Sequence, residues 1–168
     1  MAKKMLVRVD DRLIHGQVLT QWVGEINAQK IVVIDDEVSQ DKMRKNILKF
    51  ACPSDIKMAV YSAEKAAEVW AKNKFGAYNV MVLFRDVNMI KKCKDLGLVF
   101  DEVSLGQMSI TDGREQIHRT FGLSEQEAKT LLDLERDGMT IYFRMTPMDS
   151  KENLDVICAK FPSLSRAA

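Results

Sequence analysis

Apolar and polar positions along this chain alternate between two rhythms. Short, mostly apolar runs recur at residues 5–9, 30–34, 56–60, 80–84, 102–105 and 140–144. Their length and β-branched content are those of strands. Runs that are apolar throughout, such as 31–34 and 80–84, fit strands covered on both faces. Between them apolar residues return at helical spacing: Val18, Leu19, Trp22, Val23 and Ile26; Val38, Met43, Ile47, Leu48 and Ala51; Ala66, Ala67, Val69 and Trp70; Met89, Ile90 and Cys93; Leu131, Leu132 and Leu134. Strand and helix alternate at βαβ lengths. The pattern predicts an α/β fold: an open, doubly wound, mostly parallel sheet of about six strands with helices on both faces.

Local signals punctuate this pattern. Pro53 stops one helix, Ser62 stands where a cap belongs, and Ser124 with Glu127 makes a capping-box pattern. Gly76, Gly97 and Gly138 follow predicted helix ends. The stretch 107–116, QMSITDGREQ, breaks the rhythm; its Thr-Asp-Gly is a turn signal, and a small hairpin or irregular excursion is expected after strand five. The chain has 168 residues and no repeat or linker. Residues 1–162 therefore read as one domain and 163–168 as a short flexible tail.

Composition narrows the class. Twenty-five Lys and Arg against 24 Asp and Glu leave a net charge of +1, which argues against nucleic acid as the main partner. Cys52, Cys93 and Cys158 are scattered without a CxxC pair, as suits a reducing cytoplasm. Cys52 and Cys93 fall in helical patterns, where a small buried apolar group is expected. Met1-Ala2-Lys3-Lys4 leads straight into a strand with no leader pattern, and no apolar run nears the ~20 residues that span a bilayer. The expectation is a cytoplasmic protein, associated with the inner face of the membrane only peripherally.

The densest chemistry lies in residues 5–18, MLVRVDDRLIHGQV. Arg8, Asp10, Asp11, Arg12 and His15 fall within eight residues, where a strand gives way to a helix. Ligands of open α/β sheets bind where such loops leave the carboxyl ends of strands. A helix starting just after His15 supplies the free amides of Gly16, Gln17 and Val18 and a dipole that favours an anion. Unperturbed imidazole is mostly neutral near pH 7 and can act as a nucleophile. Arg12 can meet the charge of a moving phosphoryl group, Gly16 lets the backbone come close, and Asp10 can position Arg12 or the ring N–H.

Other readings stay open from spacing alone. His15 could simply cap the helix or face water. Arg8 could be a strand residue whose head group reaches solvent, and Asp11 reads as a solvated turn residue. A histidine-nucleophile phosphatase or mutase also places Arg and His-Gly after its first strand, but it needs a second pocket histidine, and His118 is the sole candidate. A receiver-like module needs an acceptor Asp after its third strand, where this chain reads Ala59-Val60-Tyr61-Ser62. A non-catalytic α/β binding domain is the plain alternative. No ligand spacing supports a metal site, and His118 is expected near the surface after the hairpin.

VRVDDRLIHGQV resembles the active-site loop of the IIB subunits of the sugar phosphotransferase system, mannose–fructose–sorbose family. IVVIDDEVSQDKMRKNILKFACP, NVMVLFRDVNMIKKCKDLG and the later SLGQM and GREQI segments extend the resemblance over residues 6–161. The resemblance implies that His15 is the phosphoacceptor, through Nδ1. With the residues read above, the expected catalytic groups are His15, Arg12 and Asp10, and the phosphate-binding groups are Gly16, Gln17 and Arg8. It also implies a phosphoryl group arriving from a phosphohistidine on a IIA subunit or domain. That group leaves to a sugar held by membrane IIC and IID subunits, with no metal and no cofactor. A homo-oligomer is admitted. The chain departs from the family at Gly106-Gln107, where many members carry Gly-Gly, so a narrower or more polar pocket is expected there. Arg8, Arg12 and Arg85, near the carboxyl ends of predicted strands, are expected to form a locally positive docking face with a polar rim.

Overall fold

The computed structural model describes residues 3–111 and 113–164. Its strands are β1 (Lys4–Asp10), β2 (Lys30–Ile34), β3 (Lys57–Tyr61), β4 (Asn79–Phe84), β5 (Glu102–Gln107), β6 (Glu115–His118), β7 (Phe121–Leu123) and β8 (Thr140–Phe143). Six of them form one sheet in the order β3-β2-β4-β1-β5-β8, and every neighbouring pair is parallel. Helical crossovers between successive strands make that possible, since parallel neighbours cannot be joined by a tight turn. The α/β, doubly wound expectation therefore holds.

Strand periodicity divides the core in two. Ile31, Val33, Met81 and Leu83 face one side, with Leu13 and Ile14 of the first loop, a π-helical turn (Val18–Trp22), α1 (Val23–Ile26), α2 (Asp36–Gln40) and α3 (Lys42–Ala51). Val7, Val9, Val32, Ile34, Val82 and Phe84 face the other, against α4 (Ala63–Asn73), α5 (Val87–Asp95), α6 (Glu125–Arg136) and α7 (Asp155–Lys160). From β1 the chain departs toward β2; from β5 it departs the opposite way, toward β8. The carboxyl ends of β1 and β5 thus border the crevice that open sheets use for ligands.

The predicted caps are in place. Ser62 accepts from the Lys65 amide (3.1 Å), and Ser124 and Glu127 close a reciprocal capping box on α6. One predicted element differs. The single helix expected up to Ala51 is broken at Asp41, whose extended backbone and side chain cap α3 through the Arg44 amide. Asp competes with the helix for its own backbone, so it starts a helix better than it continues one. As a result Met43 and Ile47, expected as core contacts, are exposed. The hairpin expected after strand five is β6–β7, with its turn at Arg119-Thr120, and the expected turn precedes it, where the Arg114 amide donates to the Thr111 carbonyl (2.9 Å). Phe121 sets its position: it is buried against Phe143 and bridges Met108, so the strand forms where apolar side chains can reach the core. Cys93 is buried as expected, while Cys52 is half-buried. Asp112 and residues 165–168 of the expected tail lie outside the described residues. Among the described residues no helix is long and apolar enough to cross a membrane.

Candidate functional site

The loop after β1 is shaped by two apolar anchors. Leu13 and Ile14 are both buried in the core beneath the sheet end, which turns their polar neighbours Arg12 and His15 outward. The Leu13 amide donates to the Asp10 carbonyl (2.9 Å), closing a tight turn, and Leu13 takes a left-handed φ of 59°. That backbone is uncommon for a branched side chain and persists where packing enforces it. Helical turns begin at once after His15. The Leu19 amide donates to the His15 carbonyl (3.0 Å), so the amides of Gly16, Gln17 and Val18 precede the ladder, as at any helix start. The first full turn is π-helical, a form that recurs at functional sites.

Asp10 organises the polar groups. Its side chain is 1% exposed. Oδ1 accepts from the Arg12 amide and from Arg12 Nε, each at 3.1 Å, and Oδ2 accepts from Arg12 Nη2 at 3.1 Å. The same Oδ2 stands 3.1 Å from His15 Nε2. A carboxylate can only accept, so Nε2 carries the ring proton and Nδ1 keeps its lone pair. Since both donors share one oxygen, Arg12 Nη2 and the imidazole lie within about 6 Å of each other. The Arg12 side chain is 35% exposed and that of His15 18%, so both open to solvent from a buried anchor. Gln17 accepts at its Oε1 from Arg12 Nη2 (3.1 Å), so its side chain braces the guanidinium. At Gly16 an added Cβ would meet nothing within 4 Å, so the loop is open there.

Arg8 is placed differently from both of its expected positions. Its head group neither reaches solvent nor faces the loop. It is 2% exposed, donating through Nη1 to Ser104 Oγ (3.0 Å) and the Arg144 carbonyl (2.7 Å) and through Nη2 to the Met145 carbonyl (2.9 Å). Its guanidinium lies 4.3 Å above the Trp22 ring. Burial, opposed by the nearby Asp10 carboxylate, lowers its pKa to about 10. The Arg8 guanidinium is thus committed to Ser104, the 144–145 backbone and the Trp22 ring.

Sequence reasoning missed what makes room for it. Val9 pairs with Leu105 and Asp10 with Gln107, so Gly106 is the extra residue of a β-bulge. A Cβ there would fall 2.1 Å from Arg8 Nη2. A glycine within a strand can mark such a close approach, but the predicted strand ended at residue 105, and only the observed β5 encloses Gly106. Asp11, read as solvated, is instead tied to the segment after β5. Its amide donates to the Gln107 carbonyl (3.0 Å), its Oδ2 accepts from the Ser109 amide (2.7 Å) and hydroxyl, and its Oδ1 accepts from Gln107 Nε2 (3.4 Å). The departure at Gln107 adds one long side-chain contact to ties that the Gln107 carbonyl and Ser109 already make. His118 lies within the hairpin itself, stacked on Phe143 (4.9 Å between centroids) and paired with Glu152. Among the described residues no hydrogen bond or ring contact joins it to Asp10, Arg12 or His15.

Arg85, expected as a free positive charge, is engaged. Its Nε donates to Asp35 Oδ2 (3.1 Å) and its Nη2 to Glu37 Oε2 (2.9 Å). Arg85 is therefore matched by carboxylates and adds no free positive charge to the edge beside the loop.

Fold and site together define a parallel α/β domain with a carboxylate–guanidinium–imidazole cluster at the switch point of its sheet. The family model for the sorbose subfamily IIB component of the PTS matches residues 4–166. The chain is 32% identical over 149 residues to the fructose-specific EIIB component of Bacillus subtilis, covering 89% of this chain and 91% of that protein. It is 31% identical over 146 residues to the mannose-specific EIIAB component of Escherichia coli, covering 87% of this chain and 45% of that protein. The crystal structure of the IIBSor domain of the sorbose permease from Klebsiella pneumoniae superposes with a TM-score of 0.86 at 31% identity, covering 93% of this chain and 97% of that one. The chain belongs to the sorbose subfamily of PTS IIB components, and so to the phosphoryl-transfer carriers of sugar phosphotransferase systems.

Proposed function

We propose that this protein accepts a phosphoryl group on His15 Nδ1 from a phosphohistidine of a IIA protein and passes it to a sugar held by membrane IIC and IID subunits. It would work in the cytoplasm and meet the inner membrane face only peripherally. The observation that carries this reading is the shared Asp10 Oδ2: it holds the proton of Nε2 and leaves Nδ1 as the nucleophile beside Arg12. Nδ1 attacks phosphorus, the P–N bond to the donor imidazole breaks, and the donor leaves with its electron pair. Arg12 meets the charge on the equatorial oxygens, and the amides of Gly16 and Gln17 supply further donors. As Nδ1 becomes bonded, positive charge develops on the ring, and Asp10 offsets it through Nε2. The EIIAB architecture of the Escherichia coli relative, one protein named for both components, supports a IIA partner. The test is phosphopeptide mapping after incubation with phosphoenolpyruvate, the general phosphotransferase proteins and a IIA protein. Label is expected on His15 and lost in a folded His15→Ala variant; label retained by that variant would remove His15 from the reaction.

A further inference from the structure

Helix α3 has an unusual exposure pattern. Of its ten residues, KMRKNILKFA, only Leu48 is buried. Met43, Ile47 and Phe50, spaced i, i+4, i+7, form one stripe at 73%, 59% and 92% exposure. Lys42, Arg44, Lys45 and Lys49 flank it, with no acidic residue in the helix. Among the described residues none of the three lysines is in an ion pair, while Arg44 makes only long contacts to Asp41 (3.5 Å) and Glu37 (4.0 Å). The helix alone holds four positive charges in a chain of net +1, so the rest of the chain nets −3.

The relief around the stripe is that of a contact surface. On one side lies a cavity of about 750 Å³ walled by Lys49, Phe50, Pro53, Ile56 and Met58. On the other, a cavity of about 270 Å³ is walled by Arg44 and Ile47 of α3 and by Asp11 and Leu13 of the loop that carries His15. The stripe therefore borders, at its Arg44–Ile47 end, the loop that carries His15. A protruding Phe50 beside a concave groove suits a structured protein surface better than a fluid lipid headgroup layer. A second copy of this chain would set four positive charges against four in a two-fold contact. Cytoplasmic loops of membrane proteins carry an excess of Lys and Arg, again the same sign. A protein that presents a phosphohistidine is anionic where it must dock, and that sign is complementary.

We propose that α3 and its flanking grooves are the docking surface for the phosphoryl donor, a protein whose contact face is apolar and ringed by carboxylates. This rests on the carrier reading of His15. The test uses the full chain with Phe50→Ser and, separately, Lys45→Glu with Lys49→Glu. Phosphorylation is followed against the concentration of a phosphorylated IIA protein. The second-order rate constant should fall tenfold or more in each variant, while the single-turnover rate at saturating donor stays at the wild-type value. The charge-reversal loss should shrink as NaCl rises, and the Phe50→Ser loss should persist. Rate constants equal to wild type would overturn the proposal. If the wild-type chain takes no phosphate, the carrier reading fails separately, and calorimetric titration with unphosphorylated IIA protein still decides the surface. A Kd weakened tenfold by the variants supports it, and an unchanged Kd or no binding overturns it. Flotation with phosphatidylglycerol vesicles that depends on Phe50 and Lys49, with transfer unaffected, would assign the face to lipid and overturn it as well.

Discussion

At the scale of single residues, Asp10 is the centre of the site because it serves Arg12 and His15 at once. Asp10→Asn keeps the volume but replaces one acceptor by a donor, which cannot receive both partners. It should slow phosphoryl transfer at least tenfold and disturb the ring tautomer, as read by imidazole nitrogen shifts. Arg12→Ala removes the guanidinium from a forming charge and should raise the transfer barrier by ~3 kcal/mol with little effect on folding. Arg12→Lys should recover only part, since a point charge cannot span both Asp10 oxygens. Single-turnover rates and urea midpoints measure the two effects. His15, Arg12 and Asp10 were legible in the sequence because their partners lie within five residues. Arg8 was not: Ser104, Arg144 and Met145, which receive its hydrogen bonds, are remote in the chain. Gly106→Ala tests that arrangement. Its Cβ would displace the guanidinium, at a cost of about 2 kcal/mol or more in unfolding free energy.

At the scale of elements, short polar ties decide where helices begin and how they sit. Asp36 joins three of them: it opens α2, its Oδ1 accepts from the Ala63 amide (2.8 Å) at the start of α4, and its Oδ2 receives Lys92 of α5. Burial pushes its carboxyl pKa up, but Lys92 and the Ala63 amide outweigh that, and the net shift is downward from 3.8. The folded group thus holds its proton less tightly than the unfolded one. The contribution is complete above the unfolded value and is lost as pH falls through the lower folded one. Because the pair is partly exposed, Asp36→Ala should cost no more than about 1 kcal/mol at pH 7, and less at pH 3, by urea titration at both. The caps at Ser62 and Ser124 could be read directly, since a cap and its amide are three residues apart. The break at Asp41 also carried a local signal, but the apolar residues beyond it suggested a continuous buried helix.

At the scale of the whole molecule, near-neutral total charge conceals an uneven layout. Arg85 stands with Asp35 and Glu37, so removing it frees a carboxylate in place of a steering charge. Asp35 is itself 1% exposed and caps α2 through the Val38 amide. Arg85→Ala should destabilise the fold by about 1–3 kcal/mol, the penalty for stranding a buried polar group, and leave the salt slope of transfer near wild type. Chemical denaturation and transfer rates across NaCl concentrations check both. The six strands, their parallel winding, the caps at Ser62 and Ser124 and the grouping of Arg12 and His15 with Asp10 follow from the amino-acid order alone. Each rests on periodicity or on contacts between close neighbours in the chain. Tertiary packing alone buries Arg8 against Ser104 and Trp22, makes Gly106 leave room for it, fastens Asp11 to Ser109 and turns the apolar stripe of α3 outward. Those outcomes depend on which distant segments the sheet order β3-β2-β4-β1-β5-β8 brings side by side, and a local pattern carries no record of them.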